Sequence, residues 1–332
     1  MIRVVVLAPQ ETASITMTGL FDVIVKADRA LGALQGRPGR NTVFDVSLVS
    51  LDGAPVHYRD RVTVSPDVAA PDVGDVDLVI VPGLDDDLEP SFALNAAWAP
   101  WLAAWHARGA VVASSCSGAF LLAEAGLLDG RACTTHWLYA PAMQRRFPAV
   151  RVDARRLLID EGDVITSGGA TTFLDLALYL VERFGGRERA NAAARVLLID
   201  GGRSSQLPYV SLGGAHRDHD DDLVRIAQKV VDDDLSRDLR VDELASRVGL
   251  SSRSLARRFQ DAVGQAPQSY VQLRRVETAR RLLETTDTPV GNIMRQVGYR
   301  DATAFRRAFR QHTGLSPSDY RHRYGWPMSP AA

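Results

Sequence analysis

The last third of this chain contains one pattern twice. Phe259, Gly264, Pro267 and Tyr270 return as Phe309, Gly314, Pro317 and Tyr320, at an offset of 50 positions. Upstream, Leu244, Val248 and Gly249 return as Ile293, Val297 and Gly298, at an offset of 49. One residue is therefore inserted in the second copy between the two blocks. A repeat of this length signals duplicated supersecondary units. Each copy holds a short apolar-periodic run, a Gly that allows a sharp turn, and a second amphipathic run. That order predicts two helix-turn-helix units.

The faces of the second helices indicate what such units meet. Leu255 and Phe259 are four apart and face a core, as are Phe305 and Phe309. Arg253 and Arg257 project from nearly the opposite side, with Ser251 or Ser252 able to cap the helix. In the second copy Thr303, Arg306, Arg307 and Arg310 lie on or beside the outward face, and Asp301 can cap it. A helix entering the DNA major groove needs Arg there, for guanine and phosphate. Arg258 lies nearer the core edge and suits a phosphate or an acidic neighbour. Tyr270, Leu273, Val276, Ala279, Leu282 and Leu283 stripe a connecting helix of about 22 Å. With its turns, that helix can hold two reading helices about one DNA turn, 34 Å, apart. The expectation is double-stranded DNA read through two successive major-groove turns. The plainer alternative is a helical interaction domain with incidental arginines.

Charge separates this region from the rest. Residues 223–324 hold 19 Arg and Lys against 12 Asp and Glu, a net of +7, whereas residues 1–222 hold 20 against 28, a net of −8. A basic domain joined to an acidic one points to a polyanion partner for the former alone. At 332 residues the chain has room for two cores. No run is long and apolar enough for a membrane span, and no secretory signal is evident. Two cysteines cannot form a disulfide framework, so a cytoplasmic setting is expected.

In residues 1–210, apolar β-branched runs alternate with helical spacing. Ile2–Ala8, Val43–Leu51, Asp77–Val81, Gly109–Ser114 and Val164–Gly169 read as strands. Leu20–Leu34, Trp98–Ala107, Ala119–Ala125, Thr171–Phe184 and Arg189–Leu198 read as helices. This alternation predicts a mostly parallel sheet covered on both faces, with ligands beyond the carboxyl ends of its strands. Pro82-Gly83-Leu84 and Ser114 to Gly118 fall there. Cys116 follows a strand and precedes a helix, the layout of a nucleophile elbow with Cys in place of Ser. A helix N-terminus lowers a thiol pKa. Equally, Cys116 can be a small buried filler. His136 can reach the cleft as base or ligand contact, or serve as a structural donor.

Pro82-Gly83, Ser115 to Ala123, Ala125 to Arg131 and Thr134-Thr-His136-Trp137 together resemble the DJ-1/PfpI branch of class I glutamine-amidotransferase-like domains. They most resemble the version fused to AraC-type regulators. The resemblance implies a flavodoxin-like α/β parallel-sheet sandwich, followed by an all-α domain with two helix-turn-helix units. It places Cys116 and His136 at the family's reactive-cysteine and histidine positions. Gly83 and Ser117 sit where backbone N–H groups form an oxyanion hole. It also shows departures. Ser117 replaces the His that follows the cysteine in PfpI-type enzymes, Leu138 replaces the acid after the catalytic His of amidotransferases, and the cysteine-pairing carboxylate is absent near Thr16. Glu11 lies nearby in another register. Without base and orienting acid a nucleophile is a weak catalyst. Cys116 and His136 are thus expected as vestiges, and Thr16, Gly83, Leu84, Cys116, Ser117 and His136 as a ligand pocket. The C-terminal signature (Ile293, Val297-Gly298-Tyr299, Phe305, Phe309, Gly314 to Pro317, Tyr320, Arg323) resembles the AraC family's DNA-binding domain. Relatives often carry polar contacts at the positions of Ala256 and Ala302. The resemblance matches Arg253, Arg257, Thr303, Arg306 and Arg307 to groove-facing positions, with Ser252 and Arg310 beside them.

The expected organisation is a DJ-1/PfpI-like sensing domain over 1–210, a linker over 211–222, the double helix-turn-helix domain over 223–324, and a tail over 325–332. The linker carries His216, Asp218, His219 and Asp220, which read as solvated rather than as a metal site. No metal and no cofactor are expected. The function expected is a DNA-binding transcriptional regulator without turnover, binding an unidentified small effector, dimerising through its N-terminal domain, and with RNA polymerase as a further candidate partner. One alternative is a PfpI-type cysteine enzyme (amidase, isonitrile hydratase or glyoxalase-like) with a DNA-binding appendage. Another is an N-terminal domain that only dimerises.

Overall fold

The computed structural model describes residues 1–36, 42–59, 61–210, 219–237 and 239–325. The chain divides into two compact units, Met1–Gln206 and Leu207–Ala332.

The first unit opens with β1 (Ile2–Leu7), whose apolar run is buried on both faces as a central parallel strand requires. Helix α1 (Ser14–Leu34) follows. It begins six residues before the expected Leu20, because buried Thr16 and Met17 extend its core face. Next come β2 (Phe44–Ser50), a hairpin of β3 (Val56–Tyr58) and β4 (Val62–Val64), then β5 (Val68–Ala69) and β6 (Leu78–Val81). Helices α2 (Leu88–Asn95) and α3 (Trp98–Ala107) lead to β7 (Val111–Ser115), a single 3-10 turn over Cys116–Gly118, and α4 (Ala119–Glu124). The rest is β8 (Ala132–Cys133), α5 (Ala140–Arg146), β9 (Arg151–Val152), β10 (Leu158–Asp160), β11 (Val164–Ser167), α6 (Phe173–Gly185) and α7 (Arg187–Val196).

Seven strands form one sheet in the order β10-β11-β7-β6-β1-β2-β5. All pairs are parallel except β10 with β11. One face is packed by Trp98, Leu102 and Trp105 of α3 and by Phe120 to Leu122 of α4. The other is packed by Leu20 and Ile24 of α1 and by Leu176 and Leu180 of α6, with Ala190 and Ala193 of α7 alongside. The expected two-faced parallel sheet is what forms. The hairpin, the antiparallel edge strand and helices α2 and α5 lack strong periodicity and went unforeseen.

The second unit is all-helical: α8 (Asp222–Asp233), α9 (Val241–Arg247), α10 (Ser252–Val263), α11 (Pro267–Thr285), α12 (Val290–Gln296), α13 (Ala302–Thr313) and α14 (Pro317–Tyr324). Its two cores repeat the sequence repeat. Leu244, Val248, Leu255, Phe259 and Tyr270 meet in one; Ile293, Val297, Phe305, Phe309 and Tyr320 meet in the other. Phe259 and Tyr270 rings lie 5.6 Å apart, and Phe309 and Tyr320 rings 5.4 Å apart, both near edge-to-face. Gly264 and Gly314 end the second helices at φ +73° and +75°, a left-handed turn that a side chain would strain. The unit boundary falls at 206/207 rather than after 210. Residues 207–210 pack with the helical unit, held by Arg280, whose guanidinium donates to the carbonyls of Pro208 and Val210. Of the linker histidines and acids, His216 and Asp218 lie outside the described residues. His219 accepts from Asp221 N–H and bonds Gln228, beside the N-terminus of α8.

Candidate functional site

Cys116 occupies the turn between β7 and α4 at φ +55°, a left-handed conformation rare for a residue with a side chain. The surroundings hold it there. Its N–H donates to Gly168 O at 2.9 Å, and its carbonyl accepts from the Thr135 hydroxyl at 2.8 Å. Glu11 at φ +50° and Ala170 at φ +48° are strained on neighbouring segments. Such clustering marks an over-determined site. Gly118 is required for closeness: a Cβ there would lie 2.5 Å from Pro82 O and 2.7 Å from Val81 O.

Five of the expected pocket residues converge. A Cβ on Gly83 would lie 3.1 Å from the Cys116 Cβ and 3.6 Å from Thr16 Oγ1. The Ser117 hydroxyl donates to Leu84 O at 3.0 Å, fastening the turn after β6 to the elbow. Segment 11–13 closes over that turn through a Thr12–Leu84 bridge and an Ala13 N–H to Gly83 O bond. Glu11 points its carboxylate at the Arg59 N–H instead of at the thiol. His136 packs its ring against Gly169, where a Cβ would fall 1.8 Å from the ring. Its Nδ1 accepts the Leu138 N–H at 3.0 Å, which leaves the proton on Nε2 in the neutral ring. Among the described residues no hydrogen bond joins His136 to Cys116.

The electrostatics differ from the expected elbow. Burial pushes the Cys116 thiol pKa up, and the N–H groups of Ala170 and Ser117 offset only part of that. The helix N-terminus was expected to lower it; α4 is only six residues long and the sulfur is out of water, so desolvation wins. Burial likewise lowers the His136 pKa, against the opposing field of Asp86. The oxyanion-hole expectation also changes. The Gly83 N–H donates to Thr16 Oγ1 at 3.2 Å, and the Ser117 N–H faces the sulfur. Both donors are engaged.

Sequence reasoning missed Gln206. It is 2% exposed, and its amide nitrogen, with two hydrogens to share, lies within hydrogen-bond distance of Thr135 O (2.9 Å), Thr134 Oγ1, Ala154 O and Arg156 O (each 3.1 Å). Its amide oxygen accepts the Gly169 N–H. An isolated polar residue beyond the last helix carries no periodic signal that could have found it. Also unforeseen are the hydroxyls of Ser114, Ser115, Ser167 and Thr172, buried at the ends of β7 and β11 and the start of α6, with no partner among the described residues. Among the described residues no group of three or more His, Cys, Asp and Glu is arranged to hold a metal.

In the second unit Arg253, Arg257, Thr303, Arg306, Arg307 and Arg310 are exposed on α10 and α13. None of these arginines has an ion pair among the described residues. Ser251, not Ser252, caps α10; Ser252 is half-buried and donates to Asp242 at 2.7 Å. Asp301 caps α13 through the Thr303 N–H. Arg258 pairs in a fork with Asp221, at 2.8 and 3.1 Å.

The DJ-1/PfpI family model matches residues 2–183, and a helix-turn-helix domain model matches residues 244–323. The HTH-type transcriptional regulator GbdR of Pseudomonas aeruginosa is 30% identical over 284 residues, covering 84% of this chain and 75% of that regulator. The chain belongs to the DJ-1/PfpI family, in its AraC-type regulator branch. CdhR, an HTH-type regulator from the same species, is 29% identical over 82% of this chain and 80% of its own. A solved structure from Vibrio parahaemolyticus superposes on 59% of this chain and 98% of its own with a TM-score of 0.51 at 22% identity, which speaks to the fold alone. As a member of this branch, the protein is a DNA-binding transcriptional regulator.

Proposed function

We propose that the first unit of this regulator is a non-catalytic effector module whose pocket centres on Cys116, Thr16, Gly83, Leu84, Ser117 and His136. One observation carries the reading: the parts of a cysteine enzyme are each engaged elsewhere. Gly83 N–H is bound to Thr16, His136 Nδ1 to the Leu138 N–H, and burial raises the pKa of the thiol. A nucleophile needs a base in reach and free oxyanion donors. The partnerless hydroxyls of Ser115, Ser167 and Thr172 beside the elbow favour a polar occupant, because buried polar groups seek partners.

In the same proposal Ser252, Arg253, Arg257, Thr303, Arg306, Arg307 and Arg310 contact DNA, with α10 and α13 entering two successive major-groove turns. The protein acts in the cytoplasm as a homodimer formed through its first unit, with RNA polymerase as a further partner. Effector binding shifts DNA occupancy only if the effector prefers one state of the chain. The test is to extract purified protein for a co-purified small molecule and measure thermal stabilisation by that molecule. Stabilisation is expected for the native chain and not for a folded Gly83→Val variant, whose side chain crowds Thr16 and Cys116. Equal stabilisation of both sinks the pocket assignment. Turnover of amide or isonitrile substrates that vanishes in Cys116→Ala sinks the non-catalytic reading.

A further inference from the structure

A second cleft opens within the first unit, where α6, α7 and residues 201–204 border the start of β10. Its volume is about 820 Å³, within the range of small-molecule sites. None of its lining residues is among the six proposed around Cys116. Leu157, Leu158, Leu178, Ala190 and Ala194 supply an apolar wall. The frame of the cleft is pinned by its own hydrogen bonds. A bridge joins Arg156 to Ser205, and the Ser205 hydroxyl donates to Arg155 O at 2.8 Å. Arg203 donates to Thr171 Oγ1 at 2.8 Å and to Thr171 O at 2.9 Å. Four charged side chains line the cleft: Arg156, Asp175, Glu182 and Arg203. Three of them have partners. Arg203 pairs with Asp175, and Arg187 reaches Glu182 at 2.9 Å. Arg156 is the fourth. Its exposed guanidinium has no hydrogen bond or ion pair among the described residues. Asp153, an acid that its field reaches, is taken by Arg155 at 3.1 Å. The Arg156 backbone is fixed, because its carbonyl accepts the Thr134 hydroxyl at 2.9 Å.

We propose that this cleft is a second small-molecule site of the first unit, and that it takes a monocarboxylate with an apolar body. The carboxylate meets Arg156, and the body lies against Leu158, Leu178 and Ala194. A planar guanidinium matches a carboxylate in both charge and geometry. A wholly polar ligand is disfavoured, because groups desolvated against the apolar wall would find no partners there. A cation would bring a like charge to Arg156. A dianion would face Asp175 and Glu182 with one unpaired guanidinium to offset them. The single free charge beside an apolar wall therefore selects a monoanion. The proposal is independent of the Cys116 pocket and shares no residue with it.

The test titrates the full chain with octanoate and with octanamide, its uncharged counterpart, by calorimetry. Octanoate is expected to bind the native chain more tightly than octanamide. Arg156→Gln should weaken octanoate at least about tenfold, the loss of one charge-assisted contact, and leave octanamide unchanged. Asn191→Phe, at a position that lines the same cleft, should weaken both ligands by filling the space. Both substituted side chains are exposed, so the fold tolerates the changes, and thermal melts of the variants check this. No octanoate binding to the native chain overturns the site. So does an equal loss of octanoate and octanamide in Arg156→Gln, or unchanged octanoate binding in either variant. Octanoate lodged in the Cys116 pocket would give that last result, so failure here and failure of the effector pocket are read separately.

Discussion

Cys116 combines a left-handed backbone with a thiol whose ionisation burial opposes, and the second property bears on its reactivity. Its pKa is raised by burial, so alkylation by iodoacetamide is expected to be slow at neutral pH and to climb only above the ordinary thiol range, about 8.5. Fast labelling at pH 7, followed by mass spectrometry, would show the environment misread. Cys133 is pushed up to about 12 by burial alone. A thiol whose folded pKa is raised stabilises the fold below its unfolded pKa. That contribution is lost as pH rises through the folded value. Alkaline unfolding followed by circular dichroism should therefore steepen from about pH 8.5 upward, and less so in Cys133→Ala. Gly118 gives a steric counterpart. Placing a methyl group against two backbone carbonyls in Gly118→Ala should cost about 1–3 kcal/mol in urea unfolding.

At the scale of elements, the two reading helices are alike in cap, core and exit, yet their outward faces differ. α10 presents Arg253 and Arg257; α13 presents Thr303, Arg306, Arg307 and Arg310. Arg257→Ala and Arg307→Ala should each weaken specific binding by about 1–3 kcal/mol in a gel-shift titration. Unchanged affinity in both would remove these side chains from the interface. Gly298 tests the turn of the second unit. It sits at φ +84°, and a Cβ would approach Leu235 O to 2.4 Å, whereas the same atom on Gly249 meets nothing within 4 Å. Gly298→Ala should therefore lower the melting temperature more than Gly249→Ala, although the two glycines occupy matching places in the repeat. The asymmetry comes from Arg275, which draws the segment at Leu235 and Arg237 over the second turn.

For the whole molecule, the proposed two-groove reading depends on the connecting helix. α11 has 19 residues, about 28 Å at 1.5 Å each, longer than the apolar stripe alone implied. That length suits reading helices one DNA turn apart. Inserting about five base pairs between half-sites, half a turn, should lower affinity at least about tenfold by turning one site to the far face of the duplex. No described helix is long and apolar enough to cross a membrane.

Much of this protein is legible in its sequence. Apolar periodicity is a local property, so the strand and helix alternation of the first unit and the doubled helix-turn-helix of the second could be read without coordinates. Phe259, Phe309, Tyr270 and Tyr320 declared their cores because a repeat exposes what each position must do. The elbow at Cys116 was legible too, since strand, turn and helix are contiguous in the chain. Tertiary structure alone decided what the elbow's groups touch. Thr16 reaches Gly83 across 67 positions, Gln206 reaches Thr134 across 72, and Arg280 reaches Pro208 across 72. Side-chain hydrogen bonds between distant segments leave no periodic trace, because a single polar residue serves as well at one position as at the next until the fold brings a partner to it. The sequence could name the cysteine; its surroundings decided that burial opposes its ionisation.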